Sequence, residues 1–353
     1  MPDWTKSMQQ TFEYYVVDPN TWKDKTPIRS VLSSKISRDI TAETQGSFSL
    51  TVTEPLGECY VRVYMVTNQN GIKERFPMGT YLIQTPAYGF DGKVKNITLD
   101  AYTPLLELKE NQPPLGYSIL EGENIMDMAY RLIRENGRAP VVSLTDTTKL
   151  FFDFVANTDD TWMTFLNDLI ANAKFSLGLD ELGRVIFNPI QTVNSMQPIW
   201  TYDDTNSSIL YPEIEVKQDL YGIPNVVEVI FSSNKQYQYV RVVNDDPNSP
   251  TSTINRGREI THRVTNPSTL GNPTVEQLKE YGTQVLKELS SLEYRITYKH
   301  GYCPVRIGDC VRLNYEKAGL VNVKAKVISQ SIDCVPGCPV SETAIYTNQL
   351  WGD

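Results

Sequence analysis

Two histidines occur, His262 and His300, both in strand-like or loop contexts. Neither has an HExxH or other metal-binding pair around it, so both read as ordinary surface or strand residues. No GxSxG elbow is present to suggest a Ser-His-Asp hydrolase. Cysteine is more suggestive, because Cys303, Cys310, Cys334 and Cys338 cluster toward the C-terminus with six and three residues inside the successive pairs. Zinc ribbons keep two to four residues between paired thiolates, so only Cys334 and Cys338 comply. Buried strand thiols, or a disulfide formed outside the cell, are the plainer readings of these four. Glu213 and Glu215 lie two apart on an expected strand, which puts both on one face about 6.6 Å apart. That sits at the lower edge of the roughly 6.5–9.5 Å between the carboxylates of an inverting glycosidase. Nothing nearby promises an apolar pocket, so they read as surface charge, and Asp203 and Asp204 read as a turn. No GxGxxG or GxxxxGK[ST] loop announces a nucleotide site. Arg256 and Arg258 make a small basic spot in what reads as a solvated loop. Trp200 and Tyr202 suit a sugar platform or, more plainly, core and turn packing. The residues thus define no catalytic and no cofactor-binding set, and the four cysteines are the one metal candidate.

The elements that would position these residues are mostly strands. At 353 residues the chain is long enough for two or three domains and for a sizeable core. Forty per cent hydrophobic against 21% charged residues excludes wholesale disorder. Twenty tyrosines, with 21 prolines and 20 glycines, read as strands joined by turns. The net charge of -9 gives no basic face for nucleic acid, although an acidic wall suits a passage through which DNA slides without sticking. There is no apolar run long enough to span a membrane. The opening MPDWTKSMQQ lacks the apolar core of a signal peptide, and an odd count of five cysteines suits a reducing cytosol.

In CYVRVYMV, residues 59–66, Tyr60, Arg62, Tyr64 and Val66 alternate with Val61, Val63 and Met65, so both strand faces find cover. A turn at Asn68–Gly71 and strands over Gly46–Val52, Phe76–Ile83 and Ile97–Tyr102 extend a β-barrel or sandwich to about residue 105. Ile125, Met128, Ala129, Leu132 and Ile133 then mark an amphipathic helix stopped by Gly137. A second helix starts at an Asp159 N-cap, and FSLGLDELGRVIFNPI reads as a hairpin turning at Asp180–Gly183. Strands resume from Glu213, broken by the polar loop NDDPNSPTSTINRGRE. A third helix follows a Thr274–Gln277 capping box, with Val275, Leu278, Val285, Leu286, Leu289 and Leu292 as its stripe. Strands over Tyr294–Tyr298, Cys310–Asn314, Val321–Ile332 and Glu342–Tyr346 complete the chain. A faint internal echo, Pro77-Met-Gly79 before YLIQTPAY and Arg306-Ile-Gly308 before DCVRLNYE, suggests two barrels of similar plan.

The stretch DDTWMTFLNDLIANAKFSLGLDELGRVIFNPI, continued by PIWTYDDTNSSILYPEIEVKQDLYGIPNVVEV, resembles phage tail proteins of the baseplate-hub type. The opening Tyr14-Tyr15-Val16-Val17-Asp18 and the loop NPSTL fit as well, so the resemblance runs from about residue 12 to 346. It implies a mainly β fold with α+β insertions: two tail-tube-like β-barrel domains plus a small mixed α/β domain. The expected boundaries are 1–112 for the first barrel, 113–212 for the mixed domain, and 213–353 for the second barrel with an inserted helix over 274–292. The resemblance further implies a homotrimer at the end of a sixfold tail tube, in the baseplate or tip of a virion assembled in the bacterial cytoplasm. Its partners would be a distal tail or tail-tube protein on one side and a spike, fibre or tail-tip lysin on the other, with DNA passing unbound. A trimer would carry -27, three times the charge of one chain. Some relatives carry a hydrolase after the hub, whereas this sequence stops at Asp353, past its last barrel strand. A receptor-binding or adaptor component of the tail, and more remotely a cell-wall hydrolase, are the competing readings.

Overall fold

The computed structural model describes residues 2–90, 92–93, 95–218, 220–233, 236–267 and 273–351. The expected loop residues Ser268–Leu270 and the terminal Asp353 lie outside them. The fold is mainly β, with a few helices between strands.

Seven strands open the chain: β1 (Gln9–Val17), β2 (Asp24–Ile28), β3 (Val31–Asp39), β4 (Gly46–Val52), β5 (Tyr60–Gln69), β6 (Ile72–Phe90) and β7 (Lys95–Tyr102). Tyr60 to Met65 are all buried, so both faces of β5 are covered, as the alternation predicts. Asn70 and Gly71 both take positive φ, 53° and 83°, in the tight β5–β6 turn. Register shifts at Val63/Tyr64 and Ile83/Thr85 add residues to single strands. Such bulges bend and twist a sheet.

The middle holds α1 (Leu106–Glu110), β8 (Ser118–Ile119), α2 (Ile125–Asn136), β9 (Phe154–Val155), α3 (Trp162–Ala171), β10 (Phe175–Leu179), β11 (Val185–Pro189) and β12 (Trp200–Asp203). Helix α2 begins at Asn124, whose side chain accepts from the Asp127 N–H, and Gly137 ends it. Its buried Ile125, Met126, Ala129, Leu132 and Ile133 pack with α3 and with Trp22 and Tyr60 of the opening segment in one core. Each large side chain so buried contributes about 1.5–3 kcal/mol. The expected Asp159 cap is displaced by two residues: Thr161 caps α3, in a reciprocal pair with Thr164.

The remaining elements are β13 (Leu210–Gln218), β14 (Val226–Ser233), β15 (Gln236–Val243), α4 (Thr253–Arg256), β16 (Thr261–Thr265), α5 (Val275–Leu289), β17 (Ser291–Gly301), β18 (Cys310–Tyr315), β19 (Leu320–Asp333) and β20 (Pro339–Gln349). The Thr274–Gln277 capping box forms as expected. The helix expected over 274–292 is shorter, since Leu292 falls in β17, while Val275 and Leu289 are exposed. Leu278 and Leu286 carry the contact with β14 and β15, and Gly282 lets the helix lie close to Val229 and Val242.

A 13-stranded sheet runs in the order β13-β17-β20-β19-β3-β4-β7-β6-β5-β1-β2, with β18 joining β19 and β12 joining β18. Early and late strands meet where β3 pairs antiparallel with β19, Ile36 facing Ile332. The chain divides into one compact unit of Met1–Ile214 with Thr297–Ala344, and a second of Glu215–Ile296 with Ile345–Asp353. The second holds the β15-β14-β16 sheet and α5. Among the described residues no helix is long and apolar enough to cross a membrane.

Candidate functional site

The larger unit brings three distant segments together around the β10–β11 hairpin. Within its turn, Asp180 accepts from the backbone N–H groups of Leu182 and Arg184 through one oxygen and from the Arg184 guanidinium through the other. Gly183, at φ +72°, closes the turn. This leaves the Leu182 carbonyl pointing at the opening strands, where it accepts from Trp22 Nε1 at 2.8 Å, Thr80 Oγ1 at 2.8 Å and Arg62 Nη2 at 3.2 Å. Arg62 is only 4% exposed. It also donates to Thr80 Oγ1, to the Trp22 carbonyl and to Asp24 Oδ1 at 3.0 Å. A buried guanidinium is tolerable only when its donors are filled this way. Gln45 adds a further tie from its Nε2 to the Leu177 carbonyl, at 2.7 Å.

Beside the hairpin lies a cavity of about 300 Å³. Its walls include Leu177–Glu181 of the hairpin, Met78–Tyr81 of β6, and Arg306–Asp309 ahead of β18. The two segments of the sequence echo therefore face one space. Both need glycine, for Gly79 sits at φ +147° and Gly308 at φ +91°. Their settings differ, Gly79 lying inside a strand and Gly308 in the turn before one. Arg306 pairs with Glu181 at the cavity wall. Burial raises the pKa of Asp309 and lowers that of Arg306. Arg38 of β3 donates to the Met78 carbonyl at 2.7 Å and to Gln330 Oε1 at 3.1 Å.

Gln330 leads into a buried polar cluster. Its Nε2 donates to Glu342 Oε2 at 2.6 Å and to the Val305 carbonyl at 2.9 Å. Glu342 also accepts from the hydroxyls of Tyr298 and Tyr202, and its Oε2 lies 3.5 Å from His300 Nε2. His300 Nδ1 donates to the Gly301 carbonyl at 2.7 Å, while Tyr202 Oη lies 3.1 Å from Nε2 and 3.2 Å from Cys303 Sγ. Burial works against charging His300, yet its bonds to Cys303 and Glu342 outweigh this and lift its pKa to about 10. Burial, with Glu342 beside them, pushes Tyr202 and Tyr298 well above their usual range. With His300 and Glu342 fully buried, the cluster fastens β12, β17, β19 and β20 to one another.

His300 is therefore not the ordinary histidine its sequence context suggests, whereas His262 is exposed. The four clustered cysteines are separate free thiols. Cys303 joins the polar cluster, Cys334 lies by Ser34 with burial raising its pKa to about 11, and burial raises Cys338 and Cys310 too. Among the described residues, no three His, Cys, Asp or Glu side chains converge as a metal site would require. Glu213 and Glu215 are exposed and pair with Lys299 and Lys217. Tyr202 is core, not a surface platform. The Arg256 spot differs from expectation: its guanidinium donates to the carbonyls of Ile223 and Leu220, and Asn244, Ser249, Thr251 and Ser252 of the same loop are buried. The loop is a packed element because those polar groups satisfy one another.

No family model matches the sequence, and no curated protein matches it. Solved structures do share its fold from end to end. A tail protein from Neisseria meningitidis MC58 superimposes with a TM-score of 0.63 at 13% identity, covering 96% of each chain. The 43 kDa tail protein of prophage MuSo2 from Shewanella oneidensis gives 0.61 at 12% identity, over 97% of this chain and 98% of that one. A chain of the Francisella PdpA–VgrG complex gives 0.57 at 8% identity, with 96% of this chain matching 53% of that longer one. The fold is that of phage tail proteins and of a chain in a VgrG complex.

Proposed function

We propose that this chain is a structural component of a phage-type tail, acting as a hub at the distal end of the tail tube. The observation that carries the proposal is the end-to-end match to two tail proteins, with nearly the whole of each chain aligned. A hub must keep its parts in fixed register under load. The Leu182 junction and the Glu342 cluster supply that rigidity in the larger unit, since each joins segments far apart in sequence through filled, buried hydrogen bonds. In this reading residues 1–112 and the strands from 213 onward provide two barrels of tail-tube type, with 113–212 between them. Three copies would form a ring that offers six barrels to a sixfold tube. The ring would carry a spike, fibre or tip component on its other side, and the net charge of -9 per chain suits a passage for DNA. The role is architectural, within a virion assembled in the host cytoplasm.

Cryo-electron microscopy of the particle containing this chain tests the proposal. Three copies at the tube's end, each presenting two superimposable barrels, is the expected result. Six copies stacked along the tube, or copies confined to peripheral fibres, would overturn it.

A further inference from the structure

The short β8–β9 ribbon carries an unusual outer face. Ile119 and Phe154 stand opposite each other, Ile119 buried in the core and Phe154 packed against it. Because strand side chains alternate, the flanking residues point the other way. On that side Val155 is 57% and Leu120 62% exposed, and the register makes them diagonal neighbours. Phe151 and Phe152, 82% and 81% exposed, lie where the partner segment bends between Leu150, bonded to Gly122 and Glu123, and Asp153, bonded to the Glu121 N–H. Leu115, 87% exposed, lies in the adjoining turn. The inward side of the ribbon rests on an aromatic core in which Phe154 and Tyr117 meet Phe165 and Trp162, so the face is held in place from behind.

Two phenylalanines four-fifths exposed offer roughly 300 Å² of apolar surface by themselves. The largest apolar patch on a soluble monomer is typically about 300–600 Å² and is often functional, and this one reaches that range with two side chains alone. The charge around it selects the partner. Residues 113–123 and 146–160, which form the ribbon and its approaches, carry six carboxylates (Glu121, Glu123, Asp146, Asp153, Asp159 and Asp160) against one cation, Lys149. A second copy docking the same face would bring two acidic rims together, and nucleic acid or an anionic membrane would be repelled.

We infer that the outer face of the β8–β9 ribbon, centred on Phe151 and Phe152, docks a protein partner whose apolar side chains are flanked by lysine or arginine. The inference stands on the surface itself and does not need the tail reading. The patch covers less than the ~800 Å² each partner contributes to a standard interface. The phenylalanines thus form the anchor of a larger contact, with the carboxylates as its steering rim.

The test uses the full chain and two synthetic amphipathic peptides as probes, one of leucine and lysine and one of leucine and glutamate, with affinity read by calorimetry. The chain is expected to prefer the lysine peptide at least about tenfold, and salt should erode the preference. Phe151→Ser with Phe152→Ser should lose at least about tenfold in affinity while leaving the melting temperature in place, because neither ring is in the core. Glu121→Lys with Glu123→Lys leaves four carboxylates against three cations, so it should largely erase the preference between peptides, which separates charge selection from general stickiness. Equal binding of both peptides, or undiminished binding by the phenylalanine variant, would overturn the inference. So would concentration-dependent self-association that the phenylalanine variant abolishes, or capture of the chain by phosphatidylserine vesicles.

Discussion

Gly183 is the position where a single methyl group tests the junction. Its φ of +72° costs an L-residue about 1–2 kcal/mol. A Cβ there would also lie 2.7 Å from Thr80 Cβ and 3.1 Å from Thr80 Oγ1. Thr80 cannot step aside freely, for its hydroxyl donates to the Leu182 carbonyl and accepts from Arg62 Nε, both at 2.8 Å. Forcing the turn outward adds an overpacking cost of about 1–3 kcal/mol. The lower entropy of the unfolded alanine chain offsets about 0.4–1 kcal/mol. Gly183→Ala should therefore destabilise the hairpin's seat by about 1–4.6 kcal/mol, or roughly 5- to 2,000-fold in the opening equilibrium at 1.4 kcal/mol per decade. The assay is hydrogen exchange by mass spectrometry on peptides spanning β10 and β11, where local opening is read directly. Gly116→Ala is the control, because Gly116 has φ +76° but nothing within 4 Å of its Cβ site, so it should cost only the backbone share. If Gly183→Ala protects the hairpin as well as Gly116→Ala protects its own turn, the junction does not depend on the Thr80 contact and the reasoning fails.

Four further outcomes follow from the same structure. His300 has a folded pKa of about 10 against an ordinary 6.5, so its contribution is complete below pH 6.5 and fades as pH rises toward 10. Urea midpoints should accordingly fall between pH 6.5 and 8.5, before the thiols titrate, and His300→Phe should flatten that slope. Removing Glu342 by Glu342→Leu strands the buried imidazolium and should cost about 3–5 kcal/mol in the same titration at pH 7. Arg62→Lys keeps the charge but loses the planar fork that spans Trp22, Asp24, Thr80 and Leu182, so calorimetry should show a melting temperature well below wild type, with about 2–3 kcal/mol lost. Gly282→Leu should destabilise the α5 face by about 1–3 kcal/mol, visible as faster exchange in β14 and β15, because a Cβ already meets Val229 and Val242 at 3.0–3.1 Å.

The sequence by itself determined what is encoded within a few neighbouring residues. Alternation marked β4 and β5, a 3.6 period stopped by Gly137 marked α2, and a Thr–Gln pair marked the start of α5. Asp180–Gly183 read as a hairpin turn because an acidic side chain and a glycine satisfy that turn locally. The family-like stretch from Asp159 to Val229 pointed to the tail-protein fold for the same reason, being a run of such local signals in order. Where local signals compete, neighbouring residues decide: Thr161 rather than Asp159 caps α3 by bonding reciprocally with Thr164, and Leu292 belongs to a strand and not to α5. Only the tertiary structure decided which distant groups meet. His300 lies 98 residues from Tyr202, and Tyr202 lies 140 from Glu342. Arg38 reaches Gln330 across 292 residues. No spacing in the sequence encodes such meetings, since they follow from β3 pairing with β19 and from the hairpin seating on Thr80. A histidine in a strand looks the same whether water or a carboxylate faces it, and the fold alone determines which of the two it finds.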